Sequence, residues 1–448
     1  MRTLCSVPYF VFFIVDLTYR NKSKQFYLQL MMLTKLSLRQ ICRVAVIAAM
    51  FLCPSHTGVW AQDRGTLPDN GAVHSGLTHY LGLRASGDYV FSSIRDDLFS
   101  DYDWSGKPST HIILAPQIRY AFSFNNPEVH RYCPGGYQGI GVNLMSFNGL
   151  KNRNSDHSAP ADYIGTPLGV FVLQGAPFWH ITHNISLDYE WNFGATFGWR
   201  KYCDANWDFN LITGSRVNAY LNAACMLRWQ ISDFFAFTAG VELSHFSNGN
   251  TSWPNPGINA MGLRIGMDYC LGGTSAPVPC LPDTAVRRRI TYDVTLWGAV
   301  RKRVYRGGEE PVLLKGHYSC AGISFAPMRE LGRWYRVGGA VDLQWDESSS
   351  LRRYVSPDSP PDDPKFYRPD FFRQISAGIS AHAELDMPVF AVNVGIGVNI
   401  LAPEENRGTY QSLTLKTYLT PFLFLNVGYQ LRDFHSQSNL MLGLGVTI

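Results

Sequence analysis

Residues 234–243 read FFAFTAGVEL, and the order of their side chains decides the fold. From Phe235 the odd positions are Phe235, Phe237, Ala239, Val241 and Leu243. The even positions are Ala236, Thr238, Gly240, Glu242 and Ser244. One set is oily, the other small and polar. A β-strand points successive side chains to opposite faces, so this period of two marks a strand with one apolar and one polar face. Its length matches what a tilted strand needs to cross a bilayer, roughly 9–11 residues. In such a strand the oily face meets lipid and the polar face lines a barrel interior. The next run repeats the split: Met261, Leu263, Ile265, Met267 and Tyr269 against Ala260, Gly262, Arg264, Gly266 and Asp268.

Outward from this hairpin the same pattern fills the chain. Candidate strands lie at about 77–91, 109–124, 137–147, 165–174, 183–199, 211–230, 233–247 and 257–271. After a Pro-rich link they resume at 290–304, 311–325, 333–346, 370–386, 388–401, 409–419, 422–433 and 438–448. The spacing predicts an all-β, transmembrane, antiparallel up-and-down β-barrel of about 14–16 strands, made of two eight-strand halves. Long polar connections such as 92–108, 148–164 and 347–369 follow odd-numbered strands, while tight ones (232–233, 387–388, 420–421) follow even-numbered strands. Short periplasmic turns and longer external loops are the habit of outer-membrane barrels.

The halves echo each other. WNFGATFG (191–198) resembles VNVGIGVN (392–399), and SDFFAFTAGVELSHF (232–246) aligns without gaps to TPFLFLNVGYQLRDF (420–434). Each pair holds the same ordinal place in its set. One closed sheet exposes fewer edges per chain, which favours a single large barrel; two eight-stranded barrels are the alternative.

Residues 1–61 read as an export signal, with Lys35, Arg39 and Arg43 before VAVIAAMFL and a small-residue cleavage site ending at Ala61; Met31 or Met32 is a candidate start. The segments that follow are a first half at 62–271, a periplasmic linker at 272–289 and a second half at 290–448. A formal charge of +4, scattered along the chain, gives no reason to expect nucleic acid. Cys133, Cys203, Cys225, Cys270, Cys280 and Cys320 match no zinc spacing, and Cys225, Cys270 and Cys320 are expected as packed thiols. His180 and His183 lack a third ligand at a suitable distance, so neither metal nor cofactor is expected.

The oily stripe of the seventh strand ends in something else. It continues as His245 and Ser247, and that of the eighth strand begins at Asn259. A symmetric hairpin centred near Ser252 puts His245 across from Asn259, with β-carbons roughly 5 Å apart. Polar groups on a lipid-facing stripe are costly and call for a chemical reason. Nucleophilic catalysis supplies one: serine needs a neighbouring base, histidine is that base near neutral pH, and its other nitrogen needs an orienting partner. Asn259 is that partner by position. Asn248 and Gly249, in the NGN turn, and Asn255, in PNPG, are the candidate donors to an oxyanion.

The sequence His245-Phe246-Ser247-Asn248, followed by Pro254-Asn255-Pro256-Gly257-Ile258-Asn259, resembles the outer-membrane lipid A 3-O-deacylases of the PagL type. The resemblance covers roughly 75–271 and implies an eight-stranded barrel in the bacterial outer membrane. It also implies Ser247 as nucleophile, His245 as base, and lipid A or lipopolysaccharide as substrate, with no cofactor. A homodimer is compatible with it. The family's acid position, fourteen after the histidine, holds Asn259 where the family has glutamate, which removes charge support from the imidazolium. Asp433 and His435 take the matching places in the second half without a serine, so that half is expected to be catalytically silent. The resulting expectation is a Ser-His esterase acting on an outer-leaflet lipid. The competing one is a non-catalytic barrel, a channel or structural protein, keeping the hairpin as a relic.

Overall fold

Strands that cross a bilayer must satisfy every backbone N–H and C=O within the protein, which only a closed sheet does. The computed structural model describes residues 77–91, 99–100, 109–124, 135–152, 164–202, 212–272, 289–305, 312–331, 335–360, 363–387, 389–433 and 436–448. The expectations for the export signal, for Cys133, Cys203 and Cys280, and for His435 lie outside these residues.

The first half supplies β1 (Leu77–Val90), β2 (Ile112–Phe124), β3 (Tyr137–Leu144), β4 (Leu168–Thr182), β5 (Ile185–Phe197), β6 (Val217–Gln230), β7 (Phe235–Ser247) and β8 (Ile258–Leu271). The second supplies β9 (Ile290–Arg301), β10 (Tyr318–Glu330), β11 (Tyr335–Asp346), β12 (Ile375–Asp386), β13 (Phe390–Leu401), β14 (Gly408–Tyr418), β15 (Leu423–Arg432) and β16 (Ser436–Thr447). Each half is a closed antiparallel barrel in which neighbours in sequence are neighbours in space. β8 returns to β1, with Tyr80 opposite Cys270, and β16 returns to β9, with Leu296 opposite Leu444.

The single large sheet expected from edge counting is therefore corrected to two barrels. The physical reason lies inside them. An eight-stranded barrel leaves a lumen just wide enough for side chains to fill. In the first barrel Asp268 of β8 takes Arg84 of β1 at 2.8 Å, Arg119 of β2 at 3.0 Å and Arg228 of β6 at 2.8 Å. Glu190 pairs with Arg264 at 2.8 Å and with Arg119, while Glu242 pairs with Arg264. In the second barrel Asp293 of β9 takes Lys416 at 2.7 Å and Arg336 at 3.3 Å, and accepts a 2.8 Å hydrogen bond from Thr447 of β16. These partners on the first and last strands of each half, Arg84 with Asp268 and Asp293 with Thr447, meet only if that half closes on itself.

Outside, the alternation places Leu83, Ile118, Val241 and Leu263 on the exposed wall of the first barrel. Leu296, Val341, Ile396 and Leu442 are exposed on the second. At one end of the first lumen an aromatic group caps the charges: Phe147 lies 5.0 Å from Trp199, and Tyr220 stacks on Phe246 at 5.3 Å. Among the strand limits that differ from the sequence reading, two involve a proline. β4 runs on to Thr182 through register shifts after Pro177 and His180, and β10 begins at Tyr318 and continues past Pro327. The proline is accommodated in each by an irregular or interrupted ladder.

Asp268→Ala leaves three arginines without their shared carboxylate. Removing one partner of a buried ion pair costs roughly 3–5 kcal/mol. We expect the heat-resistant folded band of the barrel to unfold at clearly lower temperature or urea than wild type; an unchanged midpoint would refute the role given to this cluster.

Candidate active site

β7 carries His245 and Ser247 on its outer face, because Ser244 and Phe246 between and beside them turn inward. Ser244 Oγ accepts from Asn222 inside the lumen, and Phe246 belongs to the aromatic cap. Across the ladder the partner of His245 is Asn259, in the register a symmetric hairpin requires. His245 Nδ1 and Asn259 Oδ1 lie 2.6 Å apart. An amide oxygen only accepts, so Nδ1 carries the proton and Nε2 is left with the lone pair of a base.

Ser247 is held differently. Its Oγ is 2.9 Å from the hydroxyl of Tyr429, which comes from β15 of the second barrel, and it has no hydrogen bond to His245. The same Tyr429 hydroxyl donates to the Ser247 carbonyl at 2.9 Å. Ser247 is only 2 % exposed as a result.

The turn after Ser247 explains how the second barrel comes so close. Gly249 and Asn250 both have left-handed backbone, with φ of 61° and 62°. A Cβ on Gly249 would sit 2.9 Å from Leu440 Cβ and 3.1 Å from Tyr429 Cε1, so glycine is required both by its φ and by the wall against it. The rest of the turn is braced by amides. Asn248 N–H donates to Asn255 Oδ1 at 2.7 Å, Asn248 Nδ2 donates to Pro254 O at 3.3 Å, and Asn255 Nδ2 donates to Asn250 Oδ1 at 3.3 Å. The donors of Asn248 and Asn255 that sequence offered to an oxyanion are thus engaged within the loop.

The expected surroundings also change. His245, Ser247 and Asn259 lie on the outer wall, as alternation requires, but they face the second barrel and not open lipid. Residues Asp69–Ile448 form one unit, and the two walls meet beside this hairpin. Trp191 packs edge-on to Phe390 at 5.6 Å, and Lys302 N–H donates to Asn250 O at 2.8 Å. Between the walls runs a cavity of about 380 Å³. Phe193, Leu221, Leu243, His245 and Asn259 line one side; Val392 and Leu413 line the other. That volume is within the range of small-molecule sites, roughly 300–1,000 Å³.

Sequence reading missed two features. Tyr429 occupies the place of Val241 in the aligned repeat, so its only sequence mark is a hydroxyl at a wall position. Inside the second barrel, Ser380 Oγ lies 2.9 Å from His382 Nε2, and His382 Nδ1 lies 2.7 Å from Asn393 Oδ1. This has the outline of a catalytic set but not its chemistry. Ser380 donates its proton to Asp342 at 2.5 Å, so its hydroxyl hydrogen is not directed at the imidazole as a nucleophile's must be. The interior cavity beside it is about 70 Å³, far too small for a lipid. Of the thiols expected to be packed, Cys270 and Cys320 are buried, whereas Cys225 is exposed on the outer wall; all three are free.

Each half of the chain matches a family model. Residues 104–268 match the family model "Lipid A 3-O-deacylase (PagL)", and residues 290–448 match "Acyloxyacyl hydrolase, C-terminal domain". No curated protein matches the chain. Among solved structures, Neisserial surface protein A aligns at 9% identity over 43% of this chain and 98% of its own, with a TM-score of 0.27. The FrpB iron transporter from Neisseria meningitidis aligns at 10% identity over 83% and 61%, with a TM-score of 0.18. An outer-membrane channel from Pseudomonas putida F1 aligns at 11% identity over 86% and 97%, with a TM-score of 0.16.

The packing at Gly249 yields a test. With Ser247→Cys as a reporter, a neutral maleimide should react slowly, because the second barrel covers the position. Adding Gly249→Leu should speed labelling on the order of tenfold or more by forcing the walls apart. Equal rates in the two proteins would mean that the walls do not meet there.

Proposed function

The chain belongs to the lipid A 3-O-deacylase family, outer-membrane β-barrel hydrolases of ester-linked acyl chains, and on that footing we propose that it removes the 3-O-linked acyl chain of lipid A with Ser247 as nucleophile. The observation that carries this reading is the His245–Asn259 pair, which leaves a basic Nε2 on the same face as Ser247, two residues away. His245 and Asn259 line an apolar cavity at the end of the barrels that bears the long connections, and Ser247 lies beside it. In an outer-membrane barrel that end faces outward.

The steps follow from these groups. The ester carbonyl enters beside Ser247 with its acyl chain along the cavity wall. The Ser247 hydroxyl leaves Tyr429 as hydrogen-bond acceptor and turns to His245. Oγ bonds to the carbonyl carbon, His245 Nε2 takes the hydroxyl proton, and the carbonyl electron pair moves to oxygen. On collapse the bond to the sugar 3-oxygen breaks and that oxygen receives the proton from His245. Water then attacks the acyl-serine, again with His245 as base, and releases a fatty acid. Asn259 fixes the tautomer of His245 through a neutral dipole. It orients the ring as a carboxylate does but gives the imidazolium less support. Asn248 and Asn255 keep the turn in shape. Nothing in these steps calls for a metal or cofactor.

The channel reading has less behind it. Both lumens are crossed by buried ion pairs, including Arg119–Asp268 and Lys416–Asp293, where a conducting barrel needs a continuous water path.

The deciding experiment is a mass spectrum of lipid A from outer membranes carrying wild type or Ser247→Ala. We expect loss of one 3-O-linked acyl chain with wild type alone; identical spectra from two inserted, folded proteins would sink the enzyme reading for this lipid. A second variant probes the orienting residue. Asn259→Glu should raise the deacylation rate on the order of tenfold by stabilising the imidazolium, and Asn259→Ala should lower it. A rate unmoved by either change would remove Asn259 from the mechanism.

A further inference from the structure

Donors that sequence assigned to the oxyanion on Asn248 and Asn255 are engaged inside the turn, while a donor from another element already stands beside the Ser247 hydroxyl. Only one side-chain hydroxyl hydrogen-bonds Ser247 among the described residues, and it belongs to the other barrel. We propose that Tyr429 is the oxyanion donor of the reaction at Ser247, so that the second barrel is half of the active site and not a silent copy. This inference rests on Ser247 being the nucleophile.

The geometry behind it is direct. Tyr429 Oη lies 2.9 Å from Ser247 Oγ and 2.9 Å from the Ser247 carbonyl oxygen, to which it donates. An oxyanion formed by attack of Oγ lies one carbon away from Oγ, close to the region this hydroxyl already reaches. Moving the hydrogen bond from the backbone carbonyl to the oxyanion takes rotation about the Cζ–Oη bond, with the ring in place. The ring is fixed by packing: Tyr429 is 5 % exposed and lies against Gly249, whose missing side chain makes the approach possible. A phenol hydroxyl is among the side-chain donors that serve this role, and a donor in a dry, apolar site acts far more strongly than one in water.

The second barrel also completes the site in another way. Val392 and Leu413 form the far wall of the cavity that holds His245 and Asn259, and Trp191 against Phe390 ties the two walls together. The acyl chain of the ester therefore lies between two protein surfaces, with the reacting carbonyl beside Ser247 and Tyr429. Proton accounting is unchanged: Tyr429 donates a hydrogen bond and keeps its proton, while His245 carries the proton from Ser247 to the leaving oxygen.

The test uses the full-length protein refolded in detergent with lipopolysaccharide, and a fluorophosphonate that reports Ser247 directly by forming a tetrahedral adduct. Tyr429→Phe keeps the ring and deletes the hydroxyl. We expect kcat to fall by about 100- to 1,000-fold, the usual loss for one oxyanion donor, with KM little changed and fluorophosphonate labelling slowed in parallel. Leu440→Ala loosens the same wall without touching the hydroxyl, and should lower the unfolding temperature while leaving kcat within a few-fold of wild type. A wild-type or raised kcat in Tyr429→Phe would overturn the proposal, as would an equal fall in Leu440→Ala, which would trace the effect to packing. Ser247→Ala separates the two readings. If it still deacylates, the nucleophile is wrong; if it is dead while Tyr429→Phe is fully active, only the role of Tyr429 fails.

Discussion

The structure depends on a carboxylate at the seam of each barrel. Asp268 on β8 holds Arg84 on β1, and Asp293 on β9 holds Thr447 on β16 together with Lys416 and Arg336. A buried charge is tolerated only when paired and hydrogen-bonded. Each seam therefore has to close on the strand that bears its partner. Closure at eight strands fixes the lumen width and fills it with side chains, so neither lumen has room for a substrate of lipid size. The Ser380–His382 arrangement shows the consequence: it sits in a lumen with room for little more than water.

An outer wall in a membrane is a poor place for polar catalysis, since each histidine or serine there meets hydrocarbon. The second barrel changes that environment. Its own wall covers Ser247, gives the hydroxyl a partner in Tyr429, and leaves an apolar cavity beside His245. Exposure falls from about half at Val241 and Leu243 (52 % and 50 %) to 2 % at Ser247 along one face of one strand. The His245–Ser247 end of β7 is thus a protein interior made from two exteriors.

Much of this was legible in the sequence. Period-two alternation located all sixteen strands, because the bilayer outside and the ions inside impose opposite demands on adjacent residues. The hairpin of β7 and β8 was legible down to the His245–Asn259 pairing, since its turn is short and its two oily stripes fix the register. Closure was not, because Arg84 and Asp268 are 184 positions apart and each half offers several carboxylates. Nor was Tyr429, which in a single strand is one more aromatic on a wall. The amide donors of Asn248 and Asn255 were correctly placed in the turn, yet the turn itself takes them up, which composition alone does not reveal.

Gly272 and Arg289 belong to one chain, and the second barrel follows the first at a fixed distance in sequence. Were the barrels separate proteins, their meeting would depend on how many copies share the membrane and how fast they diffuse. Joined, they face each other at an effective concentration on the order of millimolar whatever the expression level. The contact at Gly249 then behaves as a property of each molecule and not of a population. A solitary copy in a crowded outer membrane carries its whole site with it.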